Sequence, residues 1–153
     1  MTFPAIICLV PALLSVFISL VLADPTIYNV VSFGAKTDGK TDSAQAFLST
    51  WTKACASMQP ATIYVPAGKF ALGQVIFIGP CYNKVNVMLI GTLVAPSDYR
   101  VLGNKAYWVV FQCIDGLTVS GNGILDGQGT SLWACKSSRK SCPLGATVCE
   151  IFN

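Results

Sequence analysis

Residues 114–133 read I-D-G-L-T-V-S-G-N-G-I-L-D-G-Q-G-T-S-L-W, with glycines at positions 116, 121, 123, 127 and 129. The apolar pieces between the glycines are too short to close a helix, so the backbone alternates brief strands with turns. Gly121-Asn122-Gly123 and Gly127-Gln128-Gly129 are placed to take the positive-φ positions of sharp corners, and Leu117, Val119, Ile124 and Leu125 to point into a narrow interior between them. This is the texture of one coil of a parallel β-helix. A hairpin of an ordinary antiparallel sheet is the competing reading.

The pattern extends in both directions along the chain. Short β-rich runs occupy 61–66 (A-T-I-Y-V-P), 70–72, 75–78, 85–90, 107–111 and 117–119. Between them fall Pro66-Ala67-Gly68, Gly79-Pro80-Cys81, Gly91-Thr92 and Pro96-Ser97-Asp98. No strict repeat is present, but runs of similar length between turns suit irregular coils stacked as a solenoid. Strand spacing alone leaves a β-sandwich equally open. Further upstream, residues 26–33 predict a first strand and 34–40 a turn-rich loop. From Asp42 to Cys55 a helix is expected: Asp42 can cap it with Gln45 three residues on, and Ala44, Phe47, Leu48, Trp51, Ala54 and Cys55 recur at helical spacing. That apolar stripe needs a surface, and the open first coil of a solenoid offers one whose strand edges would otherwise pair with another chain. A partner-binding helix is the alternative.

Residues 3–22 are almost uninterruptedly apolar, and a polar sequence begins at Ala23-Asp24-Pro25. The Val21-Leu22-Ala23 step predicts a secretory signal peptide over 1–23, cut between Ala23 and Asp24; a retained membrane anchor is the alternative. The 10 Lys plus Arg against 7 Asp plus Glu, a net charge of +3, permit an anionic partner without demanding one. Seven cysteines are present, with Cys8 inside the apolar leader. In an exported chain the others are expected to form disulfides. Cys55 ends the helical pattern and Cys81 follows a predicted strand, which makes one candidate pair. Cys135 and Cys142, bracketing K-S-S-R-K-S, make the second. Cys113, between Phe111 and Ile114, reads as a buried free thiol, and Cys149 is left over. With no C-x-x-C and no histidine, a zinc site is not expected.

The runs G-T-L-V-A-P-S-D-Y from Gly91, Trp108 to Phe111 and Asp115 to Trp133 resemble the amino-terminal part of plant polygalacturonases, glycoside hydrolase family 28. The resemblance covers the chain after residue 25, and G-I-L-D-G-Q-G followed by a tryptophan is its most specific piece. Phe33-Gly34-Ala35, Asp38-Gly39 and Asp42 match β-helix proteins more widely. The resemblance implies an all-β, right-handed parallel β-helix of the pectin lyase-like type, truncated, with an amino-terminal capping helix, residues 24–153 being an incomplete part of one domain. It further implies hydrolysis of α-1,4 galacturonosyl bonds of pectin in the plant cell wall, an extracellular location, no cofactor, a polysaccharide partner, no nucleic acid, and no membrane once the leader is removed.

Glycoside hydrolysis needs carboxyl groups on both sides of the scissile bond. In the family these lie in Asn-Thr-Asp and Asp-Asp motifs, completed by Gly-His-Gly and Arg-Ile-Lys, and none of these motifs occurs in the sequence. In the family they lie on later coils. Near the end Gly145-Ala146-Thr147 fits, whereas Val148-Cys149-Glu150 departs from the apolar strand start expected there. No catalytic or substrate-binding residue is therefore assigned in this chain. Asp126, Asp115, Asp98 and Asp38 sit where aspartates bond turn amides. Lys136, Arg139 and Lys140 read as a solvated loop, with contact to galacturonate carboxylates as the alternative. Trp108 and Trp133 read as core or rim packing, with sugar stacking as the alternative. A non-catalytic secreted β-helix module binding a wall polymer is the second functional reading, and a degenerate product without a stable fold the third.

Overall fold

The computed structural model describes residues 25–102, 107–138, 141–144 and 147–152. The expected leader with its Ala23/Asp24 cleavage step lies outside them, as do Arg139 and Lys140.

Among the described residues the chain winds through four coils with three sheets, all strand pairs parallel. The first coil contains β1 (Thr26–Asn29) and β2 (Asp38–Asp42), then helix α1 (Ala44–Cys55). The second contributes β3 (Ala61–Val65), β4 (Lys69–Ala71) and β5 (Val75–Ile78). The third runs through β6 (Val85–Leu89), β7 (Thr92–Val94), the short α2 (Tyr99–Leu102) and β8 (Tyr107–Gln112). The fourth holds β9 (Leu117–Ser120), β10 (Ile124–Asp126), α3 (Thr130–Ser137) and β11 (Thr147–Phe152). The sheets stack as β1-β3-β6-β9, β2-β4-β7-β10 and β5-β8-β11. This is a parallel β-helix, and it excludes both the hairpin and the sandwich.

Several boundaries differ from the sequence expectation for local reasons. The first strand stops at Asn29, whose side-chain oxygen accepts from the Val31 amide at 3.0 Å. A 3-10 turn over Val30–Phe33 follows and is closed by Gly34 at φ 101°. β2 forms where a loop was expected: its sequence, D-G-K-T-D, has no apolar alternation, and only pairing with β4 makes it a strand. Helix α1 begins at Ala44, and Asp42 accepts from the amides of Ala44 and Gly73, both at 3.0 Å. One carboxylate thus holds the start of the helix and the bend after β4. β11 spans Val148-Cys149-Glu150, where the sequence departed from the expected strand start; its register on β8 supplies the pairing.

The interior is a column of inward side chains. Phe70, Leu93 and Leu125 are neighbours in register on successive coils, and so are Ile63, Val87 and Val119. Helix α1 closes one end. Phe47 meets Phe70 edge-on at 5.9 Å, and Trp51 lies 5.1 Å from Phe77 and 5.8 Å from Phe111, which stack on each other at 4.9 Å. The Trp51 indole N–H donates to the Ile78 carbonyl at 3.0 Å, so its polar edge is satisfied where its face is buried. Phe47, Trp51 and Ala54 are buried, with Ala44, Leu48 and Cys55 packed partly against the same core, so the apolar stripe faces the coils. A disulfide joins Cys55, at the end of α1, to Cys81, after β5. A second joins Cys135 to Cys142.

Three readings of single residues need correction. Ile124 is in register with Thr92 and Lys69, on the outward side of its sheet, and is exposed; Leu125 and Val119 do point inward, but on the fourth coil they are also exposed. Gly121 takes the positive φ expected, 104°, yet at the next corner that conformation falls on Gln128, at φ 45°, while Gly129 has φ −70°. Cys113 is exposed, not buried. β8 ends at Gln112, and Cys113 adopts φ 56° at the following corner, which turns its side chain away from the strand's inward ladder.

Candidate functional site

At most corners the chain passes from one strand to the next in a few residues. Apart from the connection that carries α1, two long excursions break this pattern, and both leave from the same sheet on consecutive coils, one after β7 and one after β10. They stack for that reason, and Ser131 Oγ ties them by donating to the Ser97 carbonyl at 3.1 Å. Between them lies a cleft of about 470 Å3, bordered by Pro96 and Tyr99 on the third coil and by Ile124, Asp126, Gln128 and Trp133 on the fourth. That size falls within the range of ordinary ligand sites, about 300–1,000 Å3.

The two tryptophans singled out from the sequence take different places. Trp108 is buried, and its N–H donates to the carbonyls of Leu72 (2.8 Å) and Gly73 (3.1 Å), which fixes it as packing beneath the cleft. Trp133 is 65% exposed on the rim. It comes from α3, a helix with no buried residue. Lys136, one turn on, places its ammonium 5.2 Å from the centre of the Trp133 ring and donates to the Leu144 carbonyl at 2.9 Å. The backbone before α3 is shaped to admit the indole, because a side chain on Gly129 would begin 3.0 Å from Trp133 Nε1.

The acids are engaged with turns. Asp126 accepts from the Gln128 amide at 3.0 Å. Asp98 accepts from the Arg100 amide at 2.9 Å and from its guanidinium at 3.1 Å; the amide first, and the guanidinium after it, hold this carboxyl below the usual range. Asp38, at the far end of the stack, accepts from the Thr41 hydroxyl at 2.7 Å and from the amides of Lys40 and Thr41, both at 2.8 Å. These bonds, led by the Thr41 hydroxyl, lower its pKa to about 2. Asp115 is exposed. Among the described residues Asp126 is the only carboxylate lining the cleft, and no cluster of three or more metal-ligating side chains occurs. As built by these residues, the cleft can hold a ligand by an aromatic face and polar edges, but it does not present the two facing carboxyls that glycoside cleavage requires. The sequence reading did not single out the cleft. Its signal was the run G-Q-G-T-S-L-W with Lys136 following Trp133 by one helical turn.

A sequence profile described as glycosyl hydrolases family 28 matches residues 55–150. A polygalacturonase of Prunus persica is 62% identical over 129 residues, which cover 83% of this chain and 33% of that protein. An exopolygalacturonase of Arabidopsis thaliana is 39% identical over 132 residues, 85% of this chain and 31% of that one. The chain thus spans about a third of the length of these curated relatives. Among solved structures, an exopolygalacturonase from Thermotoga maritima superposes with a TM-score of 0.52 at 21% identity, over 68% of this chain and 25% of that one. The structure of a putative glycosyl hydrolase from Parabacteroides merdae gives a TM-score of 0.55 at 16% identity, over 82% and 61% respectively. At these identities the superpositions support the fold alone.

Proposed function

The chain belongs to glycosyl hydrolases family 28, and from that premise we propose that it supplies the amino-terminal coils of a secreted polygalacturonase that hydrolyses α-1,4 galacturonosyl bonds of pectin in the plant cell wall. The observation that carries this reading is the 62% identity to the Prunus persica polygalacturonase over 129 residues. In the proposed division of labour these coils hold the scaffold and one stretch of substrate groove. The paired carboxyls that protonate the leaving oxygen and activate water come from coils outside the 153 residues. Asp126, the carboxylate that lines the cleft among the described residues, is oriented by its bond to the Gln128 amide and faces no second carboxyl there, so it makes a poor candidate for either role. Export fits the apolar leader, and no helix among the described residues is long and apolar enough to cross a membrane.

The test joins this chain to whatever follows it in frame in its own transcript. Reducing-end release from polygalacturonate by the extended polypeptide, and none by the 153 residues alone, is the expected result. An extended polypeptide that carries Asn-Thr-Asp, Asp-Asp, Gly-His-Gly and Arg-Ile-Lys yet leaves polygalacturonate intact would overturn the proposal. A verified stop after Asn153 would favour the non-catalytic wall-binding module.

A further inference from the structure

Helix α3 poses a physical question. It buries none of its residues, so hydrophobic burial does not hold it in place, yet it is pinned at several points. The Cys135–Cys142 disulfide closes its C-terminal end onto the following loop, Lys136 donates to the Leu144 carbonyl, and Ser131 bonds the neighbouring excursion. What this pinning positions is an exposed indole. Trp51 and Trp108 are 4% and 1% exposed, and Trp133 alone of the three stands in solvent at the edge of a cleft. Outward-facing Ile124 is also exposed and lines the same cleft beside Trp133, and an exposed apolar patch rimmed by polar groups marks a ligand-binding groove.

We propose that Trp133 and Lys136 form a subsite for one galacturonate residue of an anionic polysaccharide, a proposal that rests on the pectin reading above. An indole face suits the C–H face of a pyranose ring, being apolar, flat and rigid, and the helix that carries it is already held at several points. Lys136 uses one donor on Leu144, and an ammonium has three, so two remain for the carboxylate of a uronic acid. Asp126 and Gln128 line the same cleft and offer an acceptor and an amide to ring hydroxyls. The cleft lies on the outside of the stack and spans the third and fourth coils. A polymer can therefore continue past it along the stacking direction, as a small enclosed ligand could not.

Trp133 reports on its own site, because it is the exposed fluorophore. Trigalacturonate added to the chain is expected to shift Trp133 emission to the blue and shield it from acrylamide, with uncharged galactotriose doing so much more weakly. Calorimetry on Trp133→Ala should show binding weakened roughly three- to tenfold, with Trp133→Phe close to the parent because it keeps a ring. Lys136→Gln should weaken trigalacturonate and leave galactotriose unchanged. Far-UV circular dichroism checks that each variant folds, and the Phe variant and the parent's own fluorescence keep the test decisive should the Ala variant fail. Parent-like affinity in Trp133→Ala would overturn the subsite while leaving the pectin reading intact. Equal binding of the charged and uncharged trisaccharides would overturn the uronate assignment. A parent chain that binds neither sugar also overturns the subsite, and reducing-end release by the extended polypeptide then shows whether the pectin reading survives.

Discussion

Three hydrogen bonds hold the Asp38 carboxyl well below the ordinary carboxylate range. An aspartate before Gly39 was expected to bond a turn, and its carboxylate takes up the Thr41 hydroxyl and the amides of Lys40 and Thr41. The folded pKa, about 2, lies below the ordinary 3.8, so the carboxylate's contribution to stability is present in full above the ordinary value and is lost as pH falls through about 2. A carboxyl-resolved NMR titration should place the Asp38 midpoint near 2, well below that of Asp38 in a Thr41→Val variant. An unchanged midpoint in that variant would remove the hydroxyl as cause. Gly121 gives a steric counterpart. Its φ is 104°, and an added Cβ would overlap the Leu89 carbonyl of the coil beneath. Gly121→Ala should therefore cost about 2 kcal/mol or more in urea denaturation, combining backbone strain with a blocked close approach between coils. The two residues differ in legibility. An Asp-Gly pair announces a turn by local chemistry, whereas the overlap at Gly121 depends on a residue on the previous coil. The sequence shows that a glycine is present; stacking shows why it must be one.

At the scale of elements, the most legible part was the one whose pattern is local. Helix α1 carries its apolar stripe at helical spacing, and that stripe is buried against the coils, as its pattern predicts. The least legible were β2, β7 and β10, which are short or polar and exist because parallel neighbours complete their hydrogen bonds. α3 was hidden for the opposite reason: it has almost no apolar face to detect, and its place is set by a disulfide and side-chain bonds to neighbouring loops. Cross-links thus serve as a second kind of glue, and the bridge from Cys55 to Cys81 can be tested directly. It closes a separation of 26 residues between the capping helix and the second coil, and joining the chain over such a span removes freedom from the unfolded state. Replacing both cysteines by serine should cost about 2–4 kcal/mol in equilibrium unfolding, with the apolar packing of Trp51 on Phe77 and Phe111 still holding the helix. A change below about 0.5 kcal/mol would mean that the aromatic cluster alone docks the helix.

For the whole molecule, stability should be graded along the stack, because each coil of a solenoid draws its burial from its neighbours. Among the described residues the second coil has a strand on either side in two of the three sheets and the third coil in all three, while on the fourth coil β9 and β10 are paired on one side only. The inward ladder records this directly: Phe70, Leu93 and Leu125 are 0%, 7% and 37% exposed in turn. Helix α1 prevents the same loss at the other end by covering the column with Phe47 and Trp51. Local opening follows buried apolar contact and protected backbone bonds, so the four coils should not exchange their amide protons at one rate. Hydrogen exchange under native conditions is expected to be slowest in β3 and β6, where Ile63, Val65, Val85 and Leu89 are buried, and clearly faster in β9 and β10. Trp51→Ala should shift the balance by speeding exchange in β3 before it affects β9, since the lost contact lies at the helix-covered end. Uniform protection across all strands would mean that the described coils open only as one unit. Fast exchange in β3 with slow exchange in β9 would mean that the helix does not cap the stack. Neither result follows from a column closed at one end by aromatic packing and graded in burial toward the other.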